Sequence, residues 1–306
     1  MTEPVVPPTI LVGNQKGGVG KSSIVANVAV AVARRGRRVA VFDVDQQGNL
    51  TTEDLGVPLE EWDKGRHLAS VMQYGADLKP YKNIRPNLDI VMGGPSLGLV
   101  STSADRAADA GIDIAENFRR ALEDLCRRES YELVLVDSGH GDVTLLLALL
   151  EVCSHLVVPA REDSASMRGV EQLAASYLRA KRRGSAINLL GVVLFEVNPR
   201  ATARNEYITN RVRDMLEGSS GEPFTATIRH APAPALETRE RHLTAQELAI
   251  IANEGKSELL AALREGRSDD IPRLRSRDPG ALANDYQHLT REILQRVFRA
   301  PVHSGV

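Results

Sequence analysis

The 306-residue chain has few cysteines, almost no net charge and no long apolar run. Its two cysteines, Cys126 and Cys153, are far apart and form no CxxC pair. Two thiols make neither a metal signature nor a disulfide framework, so reduced thiols inside the core of a cytoplasmic protein are expected. The formal net charge of −2 excludes a global attraction to nucleic acid or to an anionic membrane, and any such binding has to come from a local patch. The longest purely apolar run, "LLLALL" from Leu145 to Leu150, is too short to span a bilayer. The start of the chain, "MTEPVVPPT", has no basic stretch followed by an apolar one, so no secretion signal is expected there.

What is present is apolar material in quantity. At 42% hydrophobic residues, the chain can fill the core of one large α/β domain. Short apolar runs recur as "TILV", "VAVF", "LVLV", "HLVV" and "LLGVVLF", which suits strands buried on both faces of a mostly parallel sheet. Helical segments separate them, at about Lys21–Arg35, Ile112–Arg128, Ser164–Arg183 and Ala203–Glu217. This alternation predicts a doubly wound sheet with helices on both faces. The first helix, "SSIVANVAVAVARR", is apolar on nearly every side and should be central. The basic "RRGRR" that follows reads as a helix end with Gly36 as terminator. Residues Glu53 to Gly111 look irregular apart from one strand-like piece, "LDIVMGG". A single domain over 1–306 is expected, with a charged helical and loop insertion at about 248–277 and a closing helix at about 281–299.

In such sheets ligands bind beyond the carboxyl ends of the strands. Three strand ends there carry chemistry: "GNQKGGVGKSS", "FDVDQQGN" and "VDSGHGD". The first is one residue short of the literal phosphate-loop pattern, because Gln15 stands where its first glycine belongs. Gly17, Gly18 and Gly20 still let backbone N–H groups turn around phosphate oxygens, aided by the positive end of the helix that starts near Lys21. Lys21 would reach the β- and γ-phosphates and Ser22 would offer its hydroxyl to Mg²⁺. Lys16 has no place in that arrangement.

"KGGVGKSS" together with "FDVDQQGN" resembles the ParA/MinD family of deviant-Walker ATPases, and within it most the ParA partition proteins. The resemblance implies a P-loop NTPase fold, with ATP and Mg²⁺ as cofactors. It implies a nucleotide site of Gly17, Gly18, Val19, Gly20, Lys21, Ser22 and Ser23. Lys16 would cross a homodimer interface to the partner's nucleotide, and a cation supplied in trans can accelerate phosphoryl transfer by about 10³ to 10⁵. Asp45 would position the attacking water, so that Lys16, Lys21 and Asp45 form the catalytic set. Asp43 would support the metal and its loop, and Asp137 would stand with Ser22 at the Mg²⁺. The chain departs from the family where Gln46 replaces the proline of Asp-x-Asp-Pro-Gln-Gly-Asn. It departs again where Gly139 and His140 replace the prolines of Asp-x-Pro-Pro, and that second change bears on the mobility of the loop and on hydrolysis. His140 itself reads as an ordinary loop histidine.

Further along, "HLVVPAREDSASMRGVEQL", "GVVLFEVNPRATA" and "RDPGALANDYQHLTREI" resemble other segments of the family. Asn198 and Arg229 are the candidates for contact with the nucleotide base. Arg200 stands where the family has a basic residue for non-specific DNA. Arg204, Arg211 and Arg213, and a second group of Arg179, Lys181, Arg182 and Arg183, are weaker candidates that also read as solvated helix faces. The resemblance implies a ParB-like partner, release from DNA on hydrolysis, and a cytoplasmic protein associated with the nucleoid while ATP is bound. A MinD-like membrane switch is the alternative, since Ile293, Leu294, Val297 and Phe298 share one face of the last helix. That face is expected to cap the core instead. An iron–sulfur carrier would need cysteines at a dimer axis, a context that Cys126 and Cys153 lack.

Overall fold

The structure, a computed structural model, describes residues 6–102, 112–264 and 279–298, and side chains within these except for 256–264. Nine strands form one sheet in the order β3-β4-β2-β5-β1-β6-β7-β8, with β9 also pairing β7. Strands β1 (Thr9–Val12), β2 (Val39–Val44), β4 (Leu88–Val91), β5 (Leu133–Ser138), β6 (His155–Ala160) and β7 (Asn188–Val197) make its body. Five of these six are buried along almost their whole length, which accounts for the continuous apolar runs. The pairings are parallel except between β3 (Tyr81–Arg85) and β4. The short β8 (Glu222–Pro223) and β9 (Ile228–Arg229) close the far edge.

Alternate side chains of the strands enter two cores. Ile10, Val12, Val39, Val41 and Leu135 pack beneath α1 (Lys21–Ala33) and α9 (Gly280–Val297). Leu11, Ala40, Phe42, Val134 and Val136 pack on the opposite face against α2 (Arg66–Tyr74), α3 (Ile114–Glu129), α4 (Val143–Val152) and α5 (Ser164–Arg182). There the Phe42 and Phe118 rings meet edge to face at 5.7 Å. Helices therefore cover both faces, as the alternation of elements requires. Further helices are α6 (Thr202–Met215), α7 (Pro232–Glu240) and α8 (Ala245–Arg264).

Eleven residues of α1 are buried, its first lysine included, so this helix is central. The side-chain carboxylates of Asp113, Asp142 and Asp163 cap α3, α4 and α5 by accepting from backbone N–H groups three residues on. The "LLLALL" run is the buried α4; the stretch that looked irregular opens on the end of a π-helical turn, Leu50–Asp54, and holds α2 and β3. The expected insertion boundary near Leu248 falls inside α8, whose Leu248 and Ala252 are buried and whose Glu247 pairs with Arg85 at 2.8 Å. Most of the expected surface loop, residues 265–278, lies outside the described residues. Both cysteines are free and buried, and burial pushes the Cys126 thiol up to about 12, so neither is a reactive thiolate.

The closing helix caps the α1 face. Ile293 is fully buried, and Leu294 and Val297 lie against the same core, leaving Phe298 exposed. Substituting Ile293→Ala should therefore lower unfolding stability by about 2–5 kcal/mol in a urea titration. A change below about 0.5 kcal/mol would show that the helix does not cap the core.

Candidate nucleotide site

The loop after β1 is held open by its own chain. Asn14 donates its amide to the Pro159 carbonyl at 2.7 Å and accepts the Lys16 N–H at 2.9 Å. Gly18 and Gly20 take positive φ of 73° and 86°. A side chain at Gly20 would also meet the Phe195 ring at 2.3 Å, so only glycine fits there. Gly20 precedes α1 and offers no side chain to cap it. The first N–H groups of a long, buried helix are thus left facing the loop, the arrangement that receives phosphate. Lys21 is buried and donates to the Lys16 carbonyl at 3.1 Å. Burial lowers its pKa, opposed by the charges of Asp137 and Asp45. Lys16 is exposed, and its ammonium has no partner among the described residues. The two lysines are therefore in different circumstances although five residues apart.

Strand register brings the acids to this loop. Asp137 on β5 lies beside Val12 on one side and Asp43 on the other. Asp137 is fully buried, and among the described residues neither of its carboxylate oxygens has a hydrogen-bond partner of good geometry, the Ser22 hydroxyl being a nearby donor; the neighbouring Ser138 hydroxyl has none either. Burial and then the Asp43 charge push the Asp137 carboxyl well above the usual range, with Lys21 and the Ser22 hydroxyl pulling the other way. An unpartnered carboxylate at this depth is costly unless a cation meets it. Ser22 and Asp137 thus fit a hard divalent cation, which favours oxygen ligands. Asp43 was expected at the same metal, but its oxygens are engaged: one accepts the Asp45 N–H at 3.1 Å, the other the Thr51 N–H at 2.9 Å and the Thr51 hydroxyl at 2.7 Å. Burial nonetheless raises its carboxyl to about 6. In this arrangement Asp43 builds the loop that carries Asp45.

Asp45 is nearly buried, with Oδ1 accepting the Gln47 N–H at 3.0 Å. The loop after β5 lies directly over it. The Gly139 N–H donates to the Val44 carbonyl at 3.0 Å, and His140 Nδ1 stands 3.8 Å from Asp45 Oδ2. A proline at 139 has no N–H to give, which supplies a physical reason for the departure from Asp-x-Pro-Pro.

A crevice of about 280 Å³ opens beside Gly18, Gly20 and Ser23, walled by Phe195 and by residues of α7 and α9. Arg229 lines it but forms a two-point ion pair with Asp285 at 2.6 and 2.7 Å. Asn198 is not part of the wall; it is exposed and accepts the Arg200 N–H. Three participants were not among the candidate site residues. Asp54 accepts from the Ser23 hydroxyl at 3.4 Å. Arg161, after β6, reaches the Gly18 carbonyl at 3.5 Å and Glu196 at 2.5 Å. Phe195 packs on Gly20. Only Asp54 left a trace, as an acid just beyond the second motif.

Of the basic candidates, Arg200 is exposed in the turn just before α6. Arg204 pairs with Glu162 at 3.0 Å, Arg183 with Glu151 at 2.9 Å, and Lys181 donates to the Ile187 carbonyl at 3.2 Å. Arg213 bonds Asn210 within its own helix. Arg179, Arg182 and Arg211 are exposed. Among the described residues no helix is long and apolar enough to cross a membrane.

A glycine-cradled helix start, a buried lysine and acids at the ends of adjacent parallel strands define a P-loop nucleotide-binding protein. Residues 10–236 match the family described as the CobQ/CobB/MinD/ParA nucleotide binding domain, and the chain belongs to that family. It is 29% identical over 221 residues to the chromosome-partitioning ATPase Soj of Thermus thermophilus, spanning 72% of this chain and 79% of that protein. The fold is similar to that of pNOB8 ParA bound to nonspecific DNA, with TM-score 0.64, 18% identity and coverage of 95% and 99%. It is also similar to cobyrinic acid a,c-diamide synthase of Mycobacterium smegmatis with bound ATP analogue and magnesium, with TM-score 0.60, 21% identity and coverage of 88% and 100%.

Burial pushes the Asp54 carboxyl up to about 7, against the pull of Arg239. The folded state therefore binds a proton that the unfolded chain releases near pH 4, and this contribution to stability is lost as pH rises from about 4 to about 7. Asp54→Asn should stabilise the nucleotide-free protein at pH 8 by on the order of 1–2 kcal/mol and change it little at pH 4. Equal effects at both pH values in urea titrations would contradict this.

Proposed function

We propose that the chain is a ParA-type partition ATPase that dimerises around ATP and Mg²⁺, binds DNA without reading its sequence, and leaves it when a ParB-like partner stimulates hydrolysis. The observation that carries this reading is the division between the two lysines. Lys21 is buried among Asp137, Asp45 and the loop carbonyls, suited to hold its own nucleotide. Lys16 is exposed on the same loop with its charge available, suited to a triphosphate bound by a second copy. Gly17, Gly18, Val19 and Gly20 of the loop, with Ser22 and Ser23 of the first turn of α1, would bind the phosphates, and the crevice beside Ser23 is large enough for the nucleoside. Mg²⁺ held by Ser22 and Asp137 would neutralise charge that develops on the transferring phosphoryl group. Asp45 would accept a hydrogen bond from the attacking water, and Lys16 of the second copy would stabilise the transition state. Dimerisation doubles the phosphates neutralised by Arg200, and affinity for DNA climbs steeply with that number.

The membrane-switch reading receives less support, because Ile293, Leu294 and Val297 are engaged with the core.

Lys21→Ala should abolish ATP binding. Lys16→Gln should leave it intact and remove most partner-stimulated turnover, up to about 10³-fold; unchanged stimulated turnover would exclude the trans role. Arg200→Glu should weaken ATP-dependent retention on DNA and flatten its salt dependence. Equal retention at matched salt would remove Arg200 from the interface.

A further inference from the structure

We propose that His140 is a positioning residue for hydrolysis, acting through Asp45. This inference rests on the ATPase reading above and adds a component that the motifs do not name. Three contacts place His140 between the two halves of the site. Its ring lies against the phosphate loop, since a side-chain carbon added at Gly17 would stand 3.4 Å from His140 Cδ2. Its Nδ1 faces Asp45 Oδ2 at 3.8 Å. The backbone just before it is tied to the Asp45 segment by the Gly139 N–H on the Val44 carbonyl, and a side-chain carbon at Gly139 would come within 3.3 Å of Asp45 Cα.

The geometry fixes which nitrogen matters. Asp45 Oδ1 is already turned to the Gln47 N–H, so the free oxygen of this carboxylate is the one that His140 faces. At 3.8 Å the contact is longer than a hydrogen bond, and contacts of this kind commonly close only when substrate is bound. Closing it gives Asp45 a donor on each oxygen and restricts the carboxylate to one orientation, leaving lone pairs for a water. Three of the other charged groups around this loop are engaged or exposed. Asp142 accepts from Gln46, Ser101 and the Leu145 N–H, Lys21 donates to the Lys16 carbonyl, and the Lys16 side chain stands exposed. Because the ring touches the phosphate loop as well as Asp45, it ties the carboxylate's position to the loop that holds the phosphates. Misplacing a reacting group by about 1 Å can cost up to about 100-fold.

The test exploits the two nitrogens, because an asparagine amide reaches the place of Nδ1 and a glutamine amide that of Nε2. His140→Ala, His140→Asn and His140→Gln would be compared with the full-length wild-type chain. A fluorescent ATP analogue would report binding, and steady-state ATP hydrolysis would be measured with and without DNA. His140→Ala should lose roughly ten- to a hundredfold in kcat with KM within about twofold and analogue binding intact. His140→Asn should recover most of kcat, and His140→Gln should not. Turnover equal to wild type in all three variants would overturn the inference and leave the ATPase reading standing. So would a loss confined to KM, which would make the ring a prop for the phosphate loop, or rescue by glutamine alone. Failure of the wild-type chain to bind or hydrolyse ATP would overturn the ATPase reading itself.

Discussion

The structure depends on one buried carboxyl group that its own side chains do not fully satisfy. Asp137 lies at the end of the central β5, fully enclosed, with neither oxygen in a well-formed hydrogen bond among the described residues and with Asp43 on the adjoining strand at the same register position. Two neighbouring carboxylates without donors for both are tolerable only near positive charge. The chain supplies one buried ammonium, Lys21, and the uncapped start of α1. That supply is incomplete by design of the geometry: Lys21 also serves the Lys16 carbonyl, and burial lowers its own pKa. The site is thus arranged to gain from a cation and a polyanion arriving together, because each offsets what the other would leave unpaired.

The same constraint accounts for the treatment of Asp43. A second open carboxylate beside Asp137 would add repulsion, and the fold instead surrounds Asp43 with the Thr51 hydroxyl and two backbone N–H groups. These donors come from the turn that begins at Asp45 and runs into a π-helical segment. The turn's shape is therefore set by the acid it encloses, and Asp45 is aimed by Asp43. The loop after β5 is tied to the Asp45 segment by the Gly139 N–H, which donates to the Val44 carbonyl.

Much of this was legible in the sequence because the signals are local. Glycines, a lysine and a serine at fixed spacing can be read without a partner strand, and so can an acid that ends a run of valines. The apolar runs fixed the parallel sheet, and α1, α3, α5 and α6 fell within a few residues of their expected limits. Other features require chain neighbours that sequence does not reveal. The crevice joins Ser23 and Asp54 to Phe195, Arg239 and Tyr286, contacts with no common period. Arg229 kept its position at the crevice, but its guanidinium belongs to Asp285, one helix away. The "LLLALL" helix was hidden by being apolar on all sides, and α2 and α7 by being only nine residues each.

The departures from the family pattern also become intelligible as an exchange of equal energies with unequal consequences. A proline at 139 would stiffen the loop by removing unfolded-state freedom, worth about 0.4–1 kcal/mol. Glycine forgoes that and gains the Val44 hydrogen bond, worth about 0.5–1.5 kcal/mol. Stability is hardly altered, yet the two restraints differ in kind. Proline's is permanent, whereas a hydrogen bond at the rim of the site can open and close with the ligand. The loop is latched to the segment carrying Asp45, and the latch places an imidazole against both Gly17 and that carboxylate. The β5 loop and Asp45 are thus linked by direct contact through Gly139 and His140.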